Sequence, residues 1–105
     1  MPRKLTPIAV AISMVLGAVP ASAEFYTGNK YYERCLNKRD DFCTGFLMGV
    51  IDALEDLKFM CVPEGVSGFQ ALDIVMKYMR EKPQERHGAA ADIAFKALKA
   101  VYPCK

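Results

Sequence analysis

The sequence predicts an all-α protein, a small four-helix bundle-like domain stapled by two disulfides. Three observations carry this. Apolar residues recur at spacings of three and four in several stretches, with proline and glycine between them. No period-two run of useful length appears, although residues 25–27 and 59–62 could each hide a short strand. The four cysteines, an even number, fall in a chain of 105 residues that is long enough for one domain only.

The chain opens with a basic Met1-Pro2-Arg3-Lys4, and 8–19 read IAVAISMVLGAV without a charge before Pro20-Ala21-Ser22-Ala23. Basic start, apolar centre and A-x-A end are the three parts of a secretory signal, so cleavage is expected after Ala23. The apolar run of about a dozen residues is too short to span a bilayer, which takes roughly 20. No cysteine follows the small residues, so no lipid anchor is indicated and no membrane anchor is expected after cleavage. The mature domain is then 24–105, exported to the periplasm. Without Arg3 and Lys4 it carries 12 basic and 12 acidic residues. Zero net charge argues against a nucleic-acid partner. With 52% of residues hydrophobic and the charges interspersed, a disordered chain is excluded too.

A first helix is expected over 29–37, with Tyr31, Tyr32 and Leu36 apolar and Thr27 or Asn29 as N-cap. Lys38-Arg39-Asp40-Asp41 reads as a solvated loop. A second helix, 42–59, places Phe46, Leu47, Val50, Ala53, Leu54 and Leu57 on an apolar face, with Asp52, Glu55, Asp56 and Lys58 on the wet side. Gly45 and Gly49 lie four apart in it, each costing about 1 kcal/mol in helix propensity. Close approach of another helix is the expected compensation. Ser67-Gly68-Phe69-Gln70 is a capping box that opens a third helix to 81, with Phe69, Leu72, Val75, Met76 and Met79 buried and Pro83 preventing continuation. A fourth, 89–101, turns Ile93, Ala94, Ala97, Leu98 and Val101 inward and carries Lys96 and Lys99 toward its C-terminal end.

Cys35, Cys43, Cys61 and Cys104 suit two disulfides in a small exported domain. A helix over 42–59 separates Cys43 and Cys61 by about 27 Å at a rise of about 1.5 Å per residue. That is beyond the reach of about 7 Å that a disulfide allows. Of the two remaining connectivities, Cys35 with Cys43 and Cys61 with Cys104 is favoured, because a short turn between antiparallel helices brings the first pair together.

Oxidised cysteines are not nucleophiles, no C-x-x-C or C-x-x-C-H occurs, and His87 is remote in sequence from every cysteine, so no metal, haem or other cofactor is expected. His87, the one histidine, has no paired nucleophile and is read as ordering the turn before the fourth helix. Asp52 is read as pairing with a cation or a helix end. Met48, Met60, Met76 and Met79 are read as core. Tyr26, Tyr31 and Tyr32 are either interface aromatics or a cover over the first disulfide.

Cys35; Cys43 leading into Gly45-Phe46-x-x-Gly49-x-x-Asp52; Phe59-x-Cys61-x-Pro63 with Val66; Pro83-x-x-Arg86-His87; Ala97-Leu98; and the terminal Pro103-Cys104 follow one another in this order. Together they resemble the immunity proteins of type VI secretion peptidoglycan amidase effectors, over nearly the whole mature chain. The resemblance implies a helical fold, frequent homodimers, and stoichiometric inhibition of a secreted cell-wall amidase by covering its active site. The motif residues Gly45, Gly49, Asp52, Pro63, His87 and Pro103 are read as scaffold, and the resemblance assigns no effector-binding residue. The alternative is a periplasmic acid-stress chaperone, whose twelve acidic groups would be neutralised at low pH. An enzyme is the least expected class, for want of a nucleophile, a base and an orienting group.

Overall fold

Two of the four helices are capped by a side chain at their N-terminal ends. The computed structural model describes residues 25–105; the cleavable leader expected at 1–23 lies outside the described residues. Helix α1 is Gly28–Asn37, α2 Asp41–Glu55, α3 Gly68–Glu81 and α4 Ala90–Val101, with one 3-10 turn at Pro83–Glu85. The Thr27 hydroxyl caps α1 by accepting from the Lys30 amide at 3.2 Å. At α3 the expected capping box forms: the Ser67 hydroxyl accepts from the Gln70 amide at 3.1 Å, and the Gln70 side-chain oxygen accepts from the Ser67 amide at 2.7 Å. No strand forms among the described residues; the only extended pairing there is one bridge between Thr27 and Ala89.

Helix α2 ends sooner than its apolar pattern suggests. The Lys58 amide donates to the Glu55 carbonyl and the Phe59 amide to the Leu54 carbonyl, with Lys58 at φ 63°. This is a Schellman end, in which a lysine holds the left-handed position that glycine usually takes. The chain turns out of the helix there, and Leu57 and Phe59 are left exposed rather than inside.

Helix α3 lies at the centre, packed against α2 on one side and α4 on the other, while α1 covers α4 and α3. Its inward stripe, Ala71, Leu72, Val75, Met76 and Met79, meets Leu47 and Ile51 of α2 and Ile93, Ala94, Ala97 and Leu98 of α4 in one core. Met60 is buried, while Met48 departs from the expected set and is exposed. Phe69 and Val101, expected inside, stand at the surface. Phe69 is the first apolar residue after the α3 cap, and the Arg39 guanidinium covers its ring at 5.4 Å.

Both disulfides join the favoured partners. Cys35–Cys43 ties α1 to the first turn of α2 with Cα atoms 6.1 Å apart, and Cys61–Cys104 ties the tail to the segment after α2 at 5.0 Å. Beside the second, the Cys61 amide donates to the Tyr102 carbonyl at 3.0 Å. A further clamp joins the starts of α1 and α4. The Gly28 amide donates to the Gly88 carbonyl, Asn29 to Arg86, and Ala90 to Tyr26. Gly28 permits this approach, since a Cβ there would stand 2.5 Å from Ile93 Cδ1 and 2.8 Å from the Arg86 carbonyl oxygen.

Candidate functional site

The first disulfide sets the rotation of α2. Cys43 is held by Cys35, and the buried Tyr31 hydroxyl donates to the Cys43 carbonyl at 2.6 Å. The helix therefore turns Cys43, Leu47 and Ile51 fully inward. Of the face expected to be buried, Leu47 is inside, whereas Phe46, Val50 and Leu54 are half-buried and Ala53 and Leu57 are exposed.

Consequently Gly45 and Gly49 do not meet another helix. A Cβ at either position finds no atom within 4 Å, which corrects the expectation of close packing there. The close approach between α2 and α3 occurs instead at Gly68, where a Cβ would stand 3.0 Å from Thr44 Cβ.

Between α2 and α4 this leaves an open apolar groove of about 560 Å³. Phe46, Gly49, Val50, Ala53 and Leu54 form its α2 wall, and Ala91, Asp92 and Phe95 its α4 wall. Phe59 joins them, its ring edge-on to Phe95 at 6.2 Å. A smaller groove of about 150 Å³ lies between α3 and α4 near Ile74, Ala97 and Val101.

Around the start of α2, polar and aromatic groups are mutually satisfied. Arg34 meets both carboxylate oxygens of Asp40, at 3.1 and 3.3 Å, which leaves Asp40 without a side-chain cap to α2. That hydrogen bond holds the half-buried Asp40 carboxyl below the usual carboxylate range. Arg34 also lies 4.8 Å over the Phe42 ring, which packs against Tyr26 at 5.3 Å. Burial pushes the Tyr31 phenol up from its ordinary value. Tyr31 is thus a core residue, 0% exposed, and only Tyr26 and Tyr32 of the three tyrosines reach the surface.

The remaining motif residues are scattered. Asp52 is exposed on α2 and joins no ion pair among the described residues. His87 is exposed, with Nδ1 3.1 Å from the Gln84 carbonyl oxygen. Pro63 and Pro103 are exposed, both inside the loop that the Cys61–Cys104 bridge closes and each near one of its cysteines in sequence. Among the described residues no three His, Cys, Asp or Glu side chains are grouped to hold a metal, and no helix is long and apolar enough to cross a membrane. The groove is not legible in the sequence because Phe46, Val50, Ala53 and Leu54 of its α2 wall have the spacing of a core face, and Gly49 that of a helix contact. Its available signal was that α2 is apolar on nearly all sides.

The fold defines a small helical domain, stapled by two disulfides and bearing an open apolar groove. The family model described as Rap1a immunity proteins matches residues 27–104, and the chain belongs to that family. It is an immunity protein for a type VI secretion effector. No characterised protein and no solved structure shows significant similarity to the chain.

Proposed function

We propose that this protein neutralises a peptidoglycan amidase delivered by type VI secretion, binding it in the periplasm and covering its active site. Family membership over 27–104 carries the reading. The ordered motif set from Cys35 to Cys104 supports the amidase as the target class, and the signal-like 1–23 supports the periplasm. The stapled helical frame suits the role, because a rigid surface loses little entropy when it docks. A homodimer is part of the same reading.

The test is titration of purified 24–105 into any peptidoglycan amidase encoded beside its gene, with soluble peptidoglycan fragments as substrate. Cleavage should stop at one immunity chain per amidase. Cleavage that persists in excess protein overturns the reading, and inhibition of a glycan-strand hydrolase instead overturns the amidase assignment. Sedimentation of the mature protein tests the dimer, and an N-terminus at Glu24 in a periplasmic extract tests export.

A further inference from the structure

We propose that the α2–α4 groove is the surface on which the effector docks, and that it takes an apolar side chain flanked by basic residues. This rests on the immunity reading and specifies its contact surface. Helix α2 supplies the first argument. Of its fifteen residues only Asp41, Thr44, Asp52 and Glu55 are polar. A helix apolar on almost every side is ordinarily covered all round. Here Cys43, Leu47 and Ile51 face the core, while Phe46, Gly49, Val50 and Ala53 border open space.

The second argument is shape. Gly49 has nothing within 4 Å of a Cβ position, and Ala53 and Ala91 project little, so the floor is lined by small residues between Phe46 and Phe95. Such a floor admits an inserted side chain.

Charge selects the occupant. Asp92 lies on the α4 wall, and Asp52 follows Gly49 by one turn on α2; both are exposed and neither joins an ion pair among the described residues. Lys99 lies two turns along α4 from Asp92, 5.5 Å over the Phe95 ring. Unpaired carboxylates beside an apolar floor favour an apolar anchor with lysine or arginine next to it. A second copy of this chain fits less well. A two-fold contact centred on the groove sets the same patch against itself, so two concave floors would face each other and neither copy would offer a side chain for the other's floor.

Binding of the adjacent-gene amidase to immobilised mature protein provides the test. Ala53→Trp fills the floor and should weaken binding by about 100-fold. The surface variant Asp52→Lys/Asp92→Lys should slow association by about 10-fold at low salt, with the difference fading at high salt. Val101→Trp, in the smaller groove, should bind as the parent does. Unchanged kinetics in both groove variants overturn the docking assignment and leave the immunity reading standing. A parent protein that does not bind the amidase overturns both. If Ala53→Trp alters the sedimentation coefficient but not the affinity for the amidase, the groove is a self-contact and the assignment falls.

Discussion

Replacing Gly45 and Gly49 together by alanine should stabilise the protein. Both lie inside α2, and a Cβ at either meets no atom within 4 Å. The substitution therefore brings no overpacking and removes the backbone entropy that glycine loses on entering a helix. Each site should contribute about 0.5 to 1 kcal/mol. The two gains should add, since neither methyl disturbs a neighbour. In a domain of this size a gain of about 1 to 2 kcal/mol raises the melting temperature by about 5 to 15 °C. The assay is thermal unfolding of the oxidised mature protein, followed by circular dichroism at two concentrations well apart. An unchanged or lowered melting temperature refutes the reasoning. It would mean that α2 carries its glycines because something packs on them in solution.

Four other perturbations follow from the same geometry. Lys58→Gly relieves the left-handed residue at the α2 end and should stabilise by about 1 kcal/mol, read as a raised urea midpoint; a lowered midpoint contradicts the Schellman account. Gly28→Ala drives a methyl into Ile93 and the Arg86 carbonyl and should cost about 1 to 3 kcal/mol by the same measure, whereas a neutral result would show the α1–α4 clamp to be loose. Loss of the Cys61–Cys104 bridge, which spans 43 residues, should cost about 4 kcal/mol on chain-entropy grounds; loss of Cys35–Cys43, which spans 8, about 2.5. Paired cysteine-to-alanine variants in urea measure both, and equal small losses would go against the entropic argument. The raised Tyr31 phenol stabilises the fold fully below the ordinary tyrosine value of 10.0, and that contribution is lost as pH climbs above it toward the folded value. Phenolate absorbance should show one tyrosine ionising only as the protein unfolds in alkali, and Tyr31→Phe should abolish that late step.

Local chemistry made much of the fold legible. Ser67 and Gln70 announce the start of α3, Pro83 its end, and the spacing of Leu72, Val75, Met76 and Met79 its buried side. These signals act within one or two turns, so they need no knowledge of the partner helices. For the disulfides, a helix between Cys43 and Cys61 excluded one of three connectivities, and the short turn between α1 and α2 favoured, of the two left, the one that forms.

Where a helix offered two apolar faces, the signal was ambiguous. The face expected from spacing ran through Phe46, Leu47, Val50, Ala53, Leu54 and Leu57, while Cys43, Leu47 and Ile51 satisfy helical spacing as well, with Leu47 common to both. Periodicity reports that a helix has an apolar side; it does not rank two of them. The choice was made at a distance, by Cys35 gripping Cys43 and by the Tyr31 hydroxyl reaching the Cys43 carbonyl. The sequence by itself thus determined the helical class, the capping box of α3, the four-helix order and the family. Only the tertiary structure decided which side of α2 meets the core, and hence that a groove opens beside α4, because that rotation is set by contacts between different helices, which spacing within α2 does not record.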